Sequence, residues 1–298
     1  MPDIKAQKIL TLLKQDARLK TQSLPELRKG FERFFRDFSS NPELGVSEVF
    51  PAGVPGYIIA APGAISKNLV LFFHGGGFSM GSTRDHLDLC GKLSEACGCR
   101  ILSLDYRLAP EHPFPGAVED GYNAYLWLLE HGYKPENLAL SGISAGGALA
   151  LTTLLQLTQA QMPACAVGFS PAPDLDFNGE SLKTNREKDW VSPRAVKALV
   201  KHYLDGNDPK NPLVSPLYGN FQGFPPILLQ VGGDEILLDA VLDLAARLEK
   251  AGVEVNLEIT PDMFHYWQSF SALLPQGREA LEQAGGFVRK HFNPNEKR

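Results

Sequence analysis

The sequence predicts an α/β fold with a mostly parallel central sheet covered by helices on both faces. Three observations point there. From residue 46 onward, short apolar runs recur: "VPGYIIAA", "NLVLFFHG", "CRILSLDYR", "NLALSGIS", "ACAVGFSP", "PPILLQVGG" and "VEVNLEIT". A strand buried on both faces reads as such a near-continuous run. Between the runs lie helical segments at about 85–97, 116–131, 145–160, 236–251 and 276–291, and strands alternating with helices are the pattern of a parallel sheet. Finally, no charged residue occurs between Glu136 and Asp174. That stretch is long enough to span a bilayer. Its apolar runs, however, are broken by Ser141, Gly142, Ser144, Gly146, Gly147, Thr152, Thr153 and three glutamines. A buried strand followed by a buried helix accounts for it better.

Along the chain, residues 3–20 and 25–38 read as amphipathic helices. Ile9, Leu10, Leu12 and Leu13 sit among lysines in the first, and Leu27, Phe31, Phe34, Phe35 and Phe38 recur at helical spacing in the second. The segment 175–222 interrupts the alternation; it is polar and rich in Pro and Asn, with a helical piece at about 193–204. Residues 1–45 and this insertion are expected to form a cap over the strand ends of a main domain at 46–298. The terminal "NPNEKR" reads as a frayed tail.

Composition narrows the function. A net charge of −5 gives no basic footprint for nucleic acid. The N-terminus carries charges throughout and lacks the apolar core of a signal peptide. Cys90, Cys97, Cys99 and Cys165 follow no metal or redox spacing. A cytoplasmic protein with reduced thiols, no membrane insertion and neither metal nor organic cofactor is expected.

Four features suggest chemistry. Gly142-Ile-Ser-Ala-Gly146 is a GxSxG between a strand-like and a helix-like run, the context in which a serine is presented on a tight turn at the carboxyl edge of a sheet. Alone, it is equally a glycine-rich bend. His74-Gly-Gly-Gly77 directly follows "NLVLFF"; successive glycines let backbone N–H groups turn toward an anion. His74 precedes the serine in the chain and reads as an anchor of that loop. Asp234 stands just past the run "PPILLQVGG", and His265 stands in the loop after "VEVNLEIT". Taken singly, Asp234 is a helix N-cap and His265 a loop histidine beside aromatics. Together they place a serine, an acid and a base at one sheet edge in the order Ser, Asp, His. A serine hydroxyl needs an imidazole to take its proton, and that imidazole needs a carboxylate to orient it. Asp239, five residues on, falls inside the next helix and is expected to brace the His265 loop or face solvent.

The blocks HGGG at 74–77, "DYRLAPEHPFPGA" at 105–117, "GISAGG" at 142–147, "GGDEILLDA" at 232–240 and "DMFHYW" at 262–267 closely resemble the hormone-sensitive-lipase-like carboxylesterases of the α/β-hydrolase fold. The likeness runs from about residue 46 to the C-terminus. It implies that fold, an N-terminal cap and ester hydrolysis; the two N-terminal helices, by roofing the site, are expected to limit the acyl pocket and favour short- to medium-chain esters. The resemblance implies Ser144 as nucleophile, Asp234 as acid, His265 as base, and the N–H groups of Gly76, Gly77 and Ala145 as oxyanion donors. It also implies that Asp105, Arg107 and Glu111 form a buried ion-pair network. One departure is Ile143, where family members commonly carry Asp or Thr. Phe78, Met80, Trp190, Tyr203, Phe264 and Tyr266 are candidates for the substrate pocket; each is equally suited to the core. A lactone or sugar-acetate hydrolase, an acyltransferase, and a non-catalytic small-molecule receptor are the competing functions. "VEVNLEIT", taken as the sheet edge, offers a surface for a two-fold dimer.

Overall fold

The computed structural model describes residues 3–20, 23–40, 43–64 and 67–292. The tail "NPNEKR" at 293–298 lies outside the described residues. The strands are β1 (Gly45–Val49), β2 (Gly56–Ala60), β3 (Leu69–Phe73), β4 (Arg100–Leu104), β5 (Leu138–Ile143), β6 (Cys165–Phe169), β7 (Ile227–Gly232) and β8 (Val255–Thr260). The α-helices are α1 (Ile4–Gln15), α2 (Leu24–Asp37), α3 (Leu87–Cys97), α4 (Gly116–Glu130), α5 (Ala145–Gln156), α6 (Ser181–Thr184), α7 (Pro193–Leu204), α8 (Leu238–Lys250) and α9 (Pro275–Phe292). One sheet forms in the order β1-β2-β4-β3-β5-β6-β7-β8. Pairing is parallel from β4 through β8 and antiparallel where β2 meets β4 and β1. This is the α/β-hydrolase architecture that the sequence predicts.

Strand periodicity divides the core in two. On β3, Leu69, Leu71 and Phe73 face one apolar cluster with β5's Leu138 and Leu140, under helices α4, α5 and α8. Val70 and Phe72 face the other, under α2, α3 and α9. Successive side chains on a strand point to opposite faces, so a strand covered on both sides is apolar at every position. The uncharged stretch resolves the same way: all of β5 is buried, and so are the first ten residues of α5.

Not every element was anticipated. β1 pairs antiparallel with β2 as an edge strand whose residues are largely exposed. Its "GVSEV" carries neither a buried run nor a clean alternation. The other edge is β8, as expected. Helix α1 buries Ala6, Ile9 and Leu13, whereas Leu12 remains 50% exposed. Helix α2 buries Phe31, Phe34 and Phe35. Phe35 packs against Tyr266 and Phe270, with ring centroids 5.3 and 5.7 Å away. No helix among the described residues is long and apolar enough to cross a membrane.

Candidate active site

The parallel strands deliver four loops to one edge of the sheet. Ser144 ends β5 and caps α5, with φ 55° and ψ −119°. A non-glycine residue in that region carries strain of order 1–3 kcal/mol, held in place by its surroundings. The flanking glycines show why the turn can be so tight. A Cβ on Gly142 would lie 2.2 Å from the Gly146 carbonyl oxygen, and one on Gly146 would lie 2.0 Å from the Phe73 carbonyl oxygen. Ser144 N–H bonds the Phe169 carbonyl of the neighbouring strand, which fixes the corner. Ile143 before it is fully buried and packs into the sheet, with no polar role.

Ser144 Oγ lies 2.8 Å from His265 Nε2. The opposite ring nitrogen, Nδ1, lies 2.8 Å from Glu235 Oε2. The carboxylate on the histidine is therefore Glu235, and the sequence-based choice of Asp234 is corrected. The turn after β7 explains the difference. Glu235 N–H bonds the Gly232 carbonyl across it (3.2 Å), and Gly232 N–H bonds Glu235 Oε1 (2.6 Å). That closure directs Glu235 inward, fully buried, where Ser170 Oγ also donates to its Oε1 at 2.6 Å. Asp234 points outward and pairs with Lys188 at 3.2 Å. Asp239 braces the cap segment rather than the His265 loop: its Oδ2 accepts the Ser181 N–H at 2.7 Å.

His265 is buried, which by itself disfavours the imidazolium. The Glu235 hydrogen bond and charge, and the charge of Asp189, more than offset this and hold its pKa above the ordinary 6.5.

The loop proposed from the sequence to hold the oxyanion, His74-Gly-Gly-Gly77, follows β3. Gly76 and Gly77 have φ of 121° and 61°, and Cβ atoms there would meet the Met80 carbonyl oxygen at 2.1 Å and Leu199 at 3.2 Å. Among the described residues, the N–H groups of Gly76, Gly77 and Ala145 donate no hydrogen bond, and all three residues line the cavity beside Ser144. Ala145 is also the first residue of α5, whose N-terminus favours negative charge. His74 anchors the loop, as the sequence suggests. It is buried, its Nδ1–H donates to the Gly75 carbonyl at 2.8 Å, and its ring stacks on Tyr106 at 4.2 Å. His86 supports the loop from behind. Its Nε2 accepts from Tyr266 O–H (3.2 Å) and Gly75 N–H (3.4 Å), while Nδ1–H donates to Ser82 (2.9 Å). Burial pushes the His74 and His86 pKa values down to about 4 and about 3.

The "DYRLAPEHPFP" block does not form one buried ion-pair network. Arg107 pairs with Asp120 and the half-exposed Glu119, Asp105 accepts the Thr83 N–H, and Glu111 pairs with Arg28 of α2. Arg28 also donates to the carbonyls of Ser79 and Ala109 at 2.7 and 2.9 Å. Helix α2 is thereby tied to the loop that carries Gly76 and Gly77.

Ser144 opens into a cavity of about 650 Å³. Its roof includes Leu13 of α1, Leu24, Leu27 and Phe31 of α2, and Leu199 of α7. Of the expected pocket residues, Phe78, Met80, Trp190 and Tyr266 line it. Tyr203 and Phe264 do not. Tyr203 stacks beneath Phe78 with ring centroids 3.9 Å apart, and Phe264 packs in the core against Phe270. Lys14, Lys20, Arg194 and His202 border the cavity, and no Asp or Glu does among the described residues. No group of three or more His, Cys, Asp or Glu among the described residues is arranged to hold a metal ion.

Comparison with known proteins agrees with this architecture. The profile of an α/β-hydrolase-fold family matches residues 70–269. An acetyl-hydrolase of Streptomyces hygroscopicus is 42% identical over 223 residues, 74% of this chain and 75% of that one. An esterase of Acinetobacter venetianus is 37% identical over 266 residues, 88% of each chain. Among solved structures, an esterase of the bacterial hormone-sensitive lipase family superposes with a TM-score of 0.94 at 39% identity, covering 98% of this chain and 99% of that one.

Proposed function

The chain belongs to the α/β-hydrolase family of bacterial hormone-sensitive-lipase-type esterases and is a carboxylic ester hydrolase, and from that premise we propose that it cleaves short- to medium-chain esters through an acyl-enzyme on Ser144. The supporting observation is the hydrogen-bonded series Ser144 Oγ, His265, Glu235 at the floor of the cavity, with both links at 2.8 Å. In the first half-reaction, Ser144 Oγ bonds to the ester carbonyl carbon as His265 Nε2 takes its proton. Glu235 accepts from Nδ1–H, fixing the tautomer and stabilising the imidazolium. The N–H groups of Gly76, Gly77 and Ala145 hold the oxyanion. His265 then returns the proton to the departing alcohol as the C–O bond breaks. Water repeats the sequence on the acyl-enzyme, releasing the acid and restoring Ser144.

The described residues of the segments 1–45 and 175–222 act as the cap of this site. The leucines and Phe31 from α1 and α2 limit the space beyond the serine, so chains of roughly four to eight carbons are preferred over long triglycerides. The name of the Streptomyces relative, an acetyl-hydrolase, speaks for a small acyl group. The complete Ser–His–Glu series argues against a receptor that has lost its chemistry. We also propose a two-fold dimer through β8, an edge strand carrying Ile259 at 46% exposure. Ser144→Ala is expected to reduce nitrophenyl butyrate hydrolysis to background with the fold intact. A variant that keeps a tenth or more of the rate overturns the reading.

A further inference from the structure

The carboxylate of Asp189 is 2% exposed and lies on neither catalytic loop. It belongs to the polar insertion, just before α7, yet it reaches both loops. Its Oδ1 accepts the His265 N–H at 3.1 Å and the Trp190 N–H at 2.8 Å. Its Oδ2 accepts the N–H of Ile236, the residue after Glu235, at 3.0 Å. The same segment adds further ties. Trp190 Nε1–H donates to the His265 carbonyl at 2.6 Å. Asn185 Nδ2 donates to the carbonyls of Gly233 and Glu235 at 3.2 and 2.9 Å. The Trp190 ring meanwhile lines the substrate cavity.

We propose that Asp189 is a positioning residue: it clamps the Glu235 and His265 loops into one unit, couples them to the cavity wall through Trp190, and places a second negative charge beside the His265 imidazolium. The inference rests on the Ser144–His265–Glu235 reading above. Two physical points support it. A carboxylate is acceptor-only, so both oxygens can take backbone N–H groups from different loops; an amide in its place would turn an NH2 toward one of them. A charge in a desolvated site also acts more strongly on its neighbour than it would in water.

The titratable groups facing Asp189 are His265 and Glu235, and Lys188 beside it in the chain is turned to Asp234. Burial pushes the Asp189 pKa up to about 6, with the nearby His265 opposing the shift. The group is therefore ionised at neutral pH, and its charge is one of the causes holding the His265 pKa up. Removing that charge destabilises the imidazolium. The acid limb of kcat/KM, which follows deprotonation of His265, then moves to lower pH.

The test is Asp189→Asn assayed on a soluble nitrophenyl ester from pH 5 to 9. The expected result is a kcat lower by about tenfold to a hundredfold, the cost of misplaced catalytic groups, with KM changed far less and the acid limb shifted to lower pH. Asp189→Glu retains the charge, so its limb stays nearer the wild-type position although kcat falls. An Asp189→Asn enzyme with wild-type kcat, or one whose limb coincides with that of the wild type, overturns the proposal. Trp190→Phe carries the test should Asp189→Asn not fold. It keeps an aromatic ring, though a smaller one, in the cavity wall and removes the bond to the His265 carbonyl. A fall in kcat larger than the change in KM supports the clamp, and an unchanged kcat overturns it. Fluorophosphonate labelling of wild-type Ser144 runs alongside: absent labelling defeats the triad reading, whereas labelling with an unmoved limb defeats only the role of Asp189.

Discussion

Glu235 Oε2 and His265 Nδ1 are 2.8 Å apart, both side chains buried, while the adjacent Asp234 turns away to Lys188. Glu235→Gln is expected to lower kcat by about a thousandfold to ten-thousandfold, because an amide holds the wrong imidazole tautomer. Asp234→Asn and Asp239→Asn are expected to stay within a few-fold of wild type. Side-by-side kinetics on the three folded variants check this. An Asp234→Asn variant more damaging than Glu235→Gln would return the acid role to Asp234.

The pH profile follows from the raised His265 pKa. Burial opposes the charged ring, but the charges of Glu235 and Asp189 prevail, so the acid limb of kcat/KM should have its midpoint above the ordinary histidine value of 6.5. Activity is then full at higher pH and falls as pH drops through that midpoint, because only the neutral imidazole accepts the Ser144 proton. A midpoint clearly below 6.5 in a pH–rate titration would contradict the electrostatics described here.

Most of the architecture could be read from the sequence because buried parallel strands are long apolar runs, and GxSxG and HGGG are local patterns. The acid could not. Asp234 and Glu235 are neighbours in one turn, and which of them faces His265 depends on the hydrogen bonds exchanged between Glu235 and Gly232, which composition does not reveal. Asp189 lay hidden for a related reason. It sits in a polar insertion that reads as surface, and its burial arises only when the insertion folds over two distant loops. Tyr203 and Phe264 were indistinguishable from lining aromatics until packing placed them one layer deeper.

The roof should set chain length. Leu27 of α2 lines the cavity above Ser144, so Leu27→Trp is expected to reduce hydrolysis of octanoyl esters several-fold more than that of acetyl esters. A panel of nitrophenyl esters differing only in acyl length measures the ratio. An unchanged profile would place the acyl chain elsewhere.

Lys20, Arg194 and His202 are exposed at the cavity's border, and no carboxylate lines it among the described residues. Esters with a terminal carboxylate should therefore be cleaved with a higher kcat/KM than matched esters ending in a quaternary ammonium group. The preference should fade with added salt and shrink in a Lys20→Glu, Arg194→Glu double variant. Equal rates for the two ester types at low ionic strength would contradict it.

The central claim is that Ser144 carries the acyl group. Its most direct test is peptide mass mapping of the enzyme after reaction with a fluorophosphonate, and after rapid acid quench during turnover of a slow ester. One adduct of the expected mass is predicted, on the peptide containing Ser144 and absent from Ser144→Ala. An adduct on another residue, or undiminished ester hydrolysis by Ser144→Ala, would contradict the account.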